Sequence, residues 1–280
     1  MSTFIYFGTP YVAKDTLQVL VEKGFTPKLV VTSPDAPSGR GLVLTPSDTK
    51  TWALEHNLPV RTPEKLDASA ITELRALGAD YAVVVAYGKI LPQALIDIFP
   101  KGVLNVHYSL LPRYRGASPV ESALLNGDIV TGVSVQRMVY KLDAGDVVAA
   151  REIAILPTDT TRELRARLIQ EGAELLADTL PHYLAGDMTP VPQDETQATH
   201  CGKIGKKDGE LDLAADGEKN WNTYRAYAES PGTYFFARRG DKRIRVKIVT
   251  ASFESNTFTP VRIIPEGKKE MNYTDFVRSL

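Results

Sequence analysis

Ala79-Asp80-Tyr81-Ala82-Val83-Val84-Val85-Ala86, running on into Tyr87-Gly88-Lys89-Ile90-Leu91-Pro92, is the stretch that decides the fold. Its first eight residues are nearly all apolar and do not alternate. A strand made of them is apolar on both faces, which fits a parallel sheet covered by helices on both sides. On the N-terminal side, Ala70 to Leu77 has helical spacing and Lys28 to Thr32 reads as a strand. A helical pattern of Val12, Leu17, Val19 and Leu20 ends at Gly24, and Thr3 to Phe7 is a β-branched and aromatic run closed by Gly8-Thr9-Pro10. On the C-terminal side, Gly102 to His107, Thr131 to Val139 and Val147 to Leu156 read as strands. Thr160 to Leu184 reads as a long helix, with Thr160-Thr161-Arg162-Glu163 as a capped start. Alternating strands and helices imply right-handed βαβ units and a doubly wound, mostly parallel α/β sheet.

The chain has 280 residues, 43% hydrophobic and 24% charged, so it is neither disordered, collagen-like nor coiled-coil. A mean hydropathy of -0.16 and the lack of a long charge-free apolar run argue against a membrane span. The start has no basic segment and no small-residue cleavage site, so no signal peptide is expected and a cytoplasmic location is. The lone Cys201 excludes an internal disulfide and a cysteine zinc cluster. Net charge is -1, unevenly spread: Pro231 to Leu280 carries ten basic and five acidic residues. That asymmetry suits an anionic partner, although a solvated basic face is its commoner meaning. Gly186 to Thr199 is rich in proline, polar and acidic residues and reads as a linker. Short β-like runs follow at Thr233 to Ala237, Ile244 to Thr250 and Thr257 to Ile264, with a helix near Trp221 to Ala228. The expected organisation is a catalytic domain over 1–185, a linker over 186–205 and a small β-rich domain over 206–280.

Four segments have the residue types for chemistry. Asn105-Val106-His107 ends a strand, so Asn105 and His107 point to one face. Ligands of a parallel sheet sit beyond the carboxyl ends of its strands. An amide donor beside an imidazole suits a developing oxyanion and a proton transfer. By spacing alone, a strand-end Asn and His that satisfy local backbone groups is the commoner meaning. In Leu142-Asp143-Ala144-Gly145-Asp146 an acidic residue is available to orient His107; a solvated acidic turn is the plainer alternative. Gly88, within Tyr87 to Pro92, lets backbone approach a flat ligand closely. Pro34 to Leu42 reads as a long loop of the kind that serves as a lid, or as a plain surface loop. Phe7-Gly8-Thr9-Pro10 lacks the dinucleotide glycine pattern, and the other three histidines share no metal-ligand spacing.

Taken in order, these segments resemble the methionyl-tRNA formyltransferase family, within the folate-dependent formyltransferase superfamily. The likeness rests on Phe7 to Pro10, Pro37-Ser38-Gly39-Arg40-Gly41, Ala86 to Pro92, Asn105 to Pro119 and Leu142 to Asp146. It continues through Lys203-Ile204-Gly205-Lys206-Lys207-Asp208-Gly209, Ser230 to Phe235, and Pro265-Glu266-Gly267-Lys268-Lys269-Glu270-Met271. Asn-x-His followed by Ser-Leu-Leu-Pro belongs to the whole superfamily, whereas the Gly-Arg-Gly loop and the C-terminal Pro-Glu-Gly-Lys-Lys-x-Met point to the tRNA branch. The resemblance implies a Rossmann-like formyltransferase fold with a truncated, OB-like C-terminal domain. It implies formyl transfer from 10-formyltetrahydrofolate, without a metal, to the amino group of initiator methionyl-tRNA, giving the formylated initiator of translation.

The resemblance makes Asn105, His107 and Asp143 catalytic. It places the folate against Tyr87, Gly88, Lys89, Ile90, Leu91 and Pro92, with Ser109, Leu110, Leu111, Pro112 and Leu142 shaping the pocket. Arg40, Gly41, Arg113, Arg115, Lys206 and Lys207 become tRNA contacts. The expected partners are the tRNA and the folate donor, on a monomer and away from membranes. The likeness departs at Ala36, where family members usually have a basic residue. It departs again after Thr250, where the middle strands of the family's barrel are missing, and after Asp208-Gly209-Glu210, where the family's usual tryptophan is Leu213 or absent. The alternative acceptor is a nucleotide-linked amino sugar, which the Arg40 loop argues against. A non-catalytic RNA-binding relative is disfavoured because all three catalytic candidates are present.

Overall fold

The computed structural model describes residues 2–39 and 41–280. Arg40, expected to meet tRNA, lies outside the described residues. The chain runs through β1 (Phe4–Gly8), α1 (Tyr11–Glu22), β2 (Leu29–Val31), β3 (Ala36–Ser38), β4 (Val43–Thr45), α2 (Asp48–Glu55) and β5 (Val60–Arg61). Next come α3 (Ala68–Ala76), β6 (Tyr81–Val85), α4 (Gln93–Ile96), β7 (Val103–His107), β8 (Arg115–Gly116) and α5 (Pro119–Leu125). Then follow β9 (Val130–Arg137), β10 (Val147–Ala154), α6 (Thr161–Ala185) and β11 (His200–Cys201). The C-terminal part adds α7 (Gly217–Ala226), β12 (Tyr234–Arg239), β13 (Lys242–Glu254), β14 (Thr257–Pro265), β15 (Met271–Asn272) and α8 (Tyr273–Arg278).

Contacts divide the chain into two compact units. One holds Met1–Arg115, Gly132–Ile153 and Arg167–His200; the other holds Gly116–Thr131, Ala154–Ala166 and Cys201–Leu280. Residues 116–131 and 154–166 thus group with the C-terminal residues rather than with their neighbours in sequence.

In the first unit the main sheet has the order β10-β9-β7-β6-β1-β2-β5. β5, β2, β1, β6 and β7 pair in parallel, and β9 runs antiparallel to β7. β6 lies between β1 and β7 with all five residues buried, as its continuous apolar run requires. One face of this sheet is a core of Ile5, Phe7, Leu29, Val31, Ala82, Val84 and Val103, packed with Ile71 and Leu74 of α3 and Leu95 and Ile96 of α4. Asn105 and His107 are the next residues on the Val103 side of β7. Val106 faces the other way, toward α6, where Gly172 has no Cβ to strike the Val106 methyl. The strand order reverses between β1 and β6, so the crevice of a doubly wound sheet opens beyond their carboxyl ends. There the Thr9 hydroxyl donates to the Tyr87 carbonyl at 3.1 Å and ties the two loops together.

The expected long loop over Pro34 to Leu42 is instead largely a hairpin. β3 pairs antiparallel with β4, Ala36 opposite Thr45 and Ser38 opposite Val43. All six paired residues are exposed, so no buried face writes an alternating pattern into the sequence.

In the second unit, β12, β13, β14 and β15 form an antiparallel meander. Phe235, Val246, Ile248, Phe258 and Ile263 build its core with Leu211 and with Phe276 of α8, and Leu213, Trp221 and Tyr224 pack against it. The chain reverses between β13 and β14 at Ser255-Asn256, both with positive φ (48° and 60°), a two-residue turn whose twist matches the strands. That turn explains the immediate return of the chain that the sequence shows after Thr250. The opposite face of β12 and β13 carries Tyr234, Phe236 and Arg238 directly across from Lys247, Arg245 and Arg243. Arg243 lies 3.8 Å over the Phe236 ring and Arg245 3.7 Å over the Tyr234 ring. Among the described residues, no helix is long and apolar enough to cross a membrane.

Candidate active site

β7 delivers Asn105 and His107 to one spot, and both are buried. His107 Nε2 lies 2.9 Å from the Tyr114 carbonyl oxygen. A carbonyl only accepts, so Nε2 carries the hydrogen and Nδ1 holds the free lone pair of the neutral ring. Nδ1 lies 3.7 Å from Asp143 Oδ2. That is too long for a direct hydrogen bond and short enough to stabilise a proton arriving at Nδ1. No protein hydrogen bond engages the Asn105 carboxamide among the described residues, which leaves its N–H groups available to a ligand.

The loop after β7 is pinned by Ser134, which stands opposite His107 in the β7–β9 ladder. Its hydroxyl donates to the Ser109 carbonyl at 2.8 Å and accepts from the Leu111 N–H at 3.1 Å. The Ser109 hydroxyl in turn donates to the Arg113 carbonyl.

Asp143 sits in a turn built to hold it. Its own backbone is left-handed (φ 47°), a conformation that Asp tolerates better than most residues. Two residues on, a Cβ at Gly145 would fall 1.8 Å from the Arg137 carbonyl oxygen, so only glycine fits. Gln193 Nε2 donates to the carbonyls of Asp143 (2.9 Å) and Gly145 (2.6 Å). Gln136 Nε2 donates to Asp143 Oδ1 at 2.9 Å.

Arg115 is not the surface cation that a phosphate contact would need. Its side chain is fully buried, Nε donates to Gln193 Oε1, and the guanidinium forks onto Glu195 at 2.9 and 3.2 Å. Arg115 therefore fastens the 193–195 segment, which in turn fastens Asp143. Its guanidinium, with Lys141, holds the Glu195 carboxyl down at about 2.

The other expected residues divide by exposure. The Tyr87 side chain is buried edge-on to Phe7, and its hydroxyl has no partner among the described residues; burial pushes it up to about 12. Leu91 is buried too. What Tyr87 to Pro92 offers a ligand is backbone, opened by left-handed Ala86 and Gly88, together with the Ile90 side chain, 76% exposed. Lys89 Nζ is spent on the carbonyls of Pro63 and Glu64. Leu142 is 66% exposed beside Asp143. Leu110, Leu111 and Pro112 are half-buried, and Arg113 is exposed and stacks on Tyr114. Gly41, Lys206 and Lys207 are exposed, the lysines in the second unit.

Four residues of this arrangement, Gln136, Ser134, Gln193 and Glu195, are not among those the sequence singles out. A glutamine inside the apolar strand Val130–Arg137 is the available signal for the first; nothing local marks the others.

Comparison with known proteins bears on this site. The Formyl transferase family profile matches residues 2–180. A methionyl-tRNA formyltransferase of Bdellovibrio bacteriovorus is 37% identical over 299 residues, covering 98% of this chain and 94% of its own. The chain belongs to the methionyl-tRNA formyltransferases. Two solved structures share the fold at low identity. A methionyl-tRNA formyltransferase from Clostridium thermocellum has TM-score 0.61 and 16% identity, covering 97% of this chain and 99% of that one. An N-formyltransferase from Helicobacter canadensis, in complex with folinic acid and dTDP-3-aminofucose, has TM-score 0.68 and 17% identity, covering 91% and 89%. At that distance they establish the fold, and the acceptor rests on the sequence relatives.

Proposed function

We propose that this enzyme transfers the formyl group of 10-formyltetrahydrofolate to the amino group of initiator methionyl-tRNA. The observation that carries the reading is a carboxamide, Asn105, with no hydrogen-bond partner among the described residues, beside a histidine whose tautomer is fixed, in a chain 37% identical to a methionyl-tRNA formyltransferase along 98% of its length. The amine nitrogen attacks the formyl carbon, and negative charge gathers on the formyl oxygen. Asn105 donates an N–H to that oxygen, as donors of this kind do in acyl transfer. The proton released by the amine passes to His107 Nδ1, the nitrogen with the lone pair, directly or through one water. Asp143 stabilises the resulting imidazolium. The bond between the formyl carbon and the folate nitrogen breaks, and His107 returns the proton to that nitrogen.

The donor's flat ring suits the open backbone at Ala86 to Gly88 and the uncovered side chains of Ile90 and Leu142. Residues 206–280 form the tRNA-binding part, with the Arg243–Phe236 and Arg245–Tyr234 stacks, Lys247, Lys206 and Lys207 meeting phosphate and sugar. Such contacts position RNA without reading its sequence. Arg40, Gly41 and Arg113 contact the acceptor end; Arg115 is left out because it is buried.

The test is a formyl-transfer assay with 10-formyltetrahydrofolate and, in separate reactions, initiator methionyl-tRNA and nucleotide-linked amino sugars. Formylated methionyl-tRNA is expected. Transfer to the sugar alone would keep the chemistry and overturn the acceptor.

A further inference from the structure

Gln136 stands across the ladder from Asn105 and hydrogen-bonds the Asp143 carboxylate. It lies on β9 directly opposite Asn105 of β7, so the two side chains share a face and their Cβ atoms are neighbours. It is 1% exposed. Its Nε2 donates to Asp143 Oδ1 at 2.9 Å, which leaves Oδ2 as the oxygen facing His107 Nδ1. The assignment of the amide is forced: turned over, it would set a carbonyl oxygen against a carboxylate. Its Oε1 is buried and has no hydrogen-bond partner among the described residues. A buried acceptor left open is costly, and opposite it in the ladder stands a carboxamide with two N–H groups and no partner among the described residues.

We infer that Gln136 is the positioning residue of the reaction, holding the Asp143 carboxylate toward His107 through Nε2 and orienting the Asn105 carboxamide through Oε1. Asn105 Nδ2 carries two hydrogens. The two amides are not hydrogen-bonded to each other among the described residues; one hydrogen given to Gln136 Oε1 during the reaction would fix the amide plane and leave the other aimed at the ligand. Loss of Gln136 lets two reacting groups drift while leaving the contacts to either substrate in place.

The kinetic arm rests on the formyl transfer proposed above, and the structural arm does not. The variant is Gln136→Met, similar in volume; removing the open acceptor offsets part of the cost of the lost hydrogen bond to Asp143, so the protein is expected to stay folded at the assay temperature with a modestly lower melting temperature. In steady-state assays of the full chain with 10-formyltetrahydrofolate and methionyl-tRNA, kcat should fall between about 10-fold and 100-fold, the range for misplaced reacting groups. KM for both substrates should stay within about twofold, because uniform binding is untouched. In the Asp143→Asn background the same change should cost little more, because residues acting as a unit are not additive. A crystal structure of Gln136→Met should show the Asp143 carboxylate turned from its place facing His107. Unchanged kcat, a fully additive loss with Asp143→Asn, a loss of kcat explained by unfolding at the assay temperature, or an unmoved carboxylate would each overturn the inference. If the native enzyme formylates only the amino sugar, the acceptor reading falls and the Gln136 comparison is made with that acceptor. If neither is formylated, the carboxylate's position in the variant decides it.

Discussion

Because the Tyr114 carbonyl takes the hydrogen of His107 Nε2, the basic nitrogen of the ring is Nδ1, and Asp143 is the group beside it. The single charge of Asp143 is secured by neighbours rather than by solvent: Gln136 on its carboxylate, Gln193 on its backbone, and no room for a side chain at Gly145. Asn105 is the opposite case, a donor that the protein leaves open. Asn105→Ala is therefore expected to lower turnover about 10²- to 10³-fold, the usual cost of one oxyanion donor, with donor affinity within about twofold by equilibrium titration. Unchanged turnover would remove Asn105 from the chemistry. The Arg115–Glu195 pair allows a second prediction. Glu195 is held at about 2, first by its hydrogen bonds from Arg115 and then by Lys141. Its folded value lies below the ordinary value of about 4.3, so its contribution to stability is complete above that pH and fades as pH falls toward 2. Glu195→Gln should melt below the native protein at pH 7, and the gap should close between about pH 4.3 and 2. A gap that stays constant through that window would show that the charge of Glu195 contributes nothing.

At the scale of elements, β6 sits where its composition sends it, since a strand apolar on both faces is stable only under cover on both sides. α6 begins as its Thr160 to Glu163 signature predicts: the Glu163 carboxylate accepts from the Thr160 N–H at 3.0 Å and from its hydroxyl. The β13–β14 hairpin is less well matched to its geometry. Both turn residues need positive φ, and Ser255 and Asn256 supply it without glycine. Ser255→Asn combined with Asn256→Gly is the sequence that such turns prefer. It should stabilise the protein by about 0.5–1 kcal/mol, seen as a higher melting temperature with unchanged kcat. A lower melting temperature would mean that this turn has a different geometry.

At the scale of the whole molecule, a net charge of -1 conceals a basic end, ten Lys and Arg against five acidic residues from Pro231 onward. On β12 and β13, Arg238, Arg243, Arg245 and Lys247 line one face because residues two apart share a side, while Phe235, Val246 and Ile248 fill the other. If that face holds the tRNA backbone, Arg245→Gln and Lys247→Gln should each weaken tRNA binding and lower the salt slope of log K by about one for each phosphate no longer neutralised. Donor affinity should be unmoved; an unchanged slope would take the face out of RNA binding. The sequence alone determined the doubly wound sheet, through the apolar run of β6 and the strand–helix alternation. It also put Asn105 and His107 on one face, because strand geometry is local and has period two. Only the tertiary structure decided that Asp143 faces His107, that Gln136 stands across from Asn105, that Arg115 is a buried strut, and which stretches of chain group together. Those are contacts between residues 7 to 80 positions apart, and no local periodicity records them, because pairing at that distance is fixed by how the elements pack.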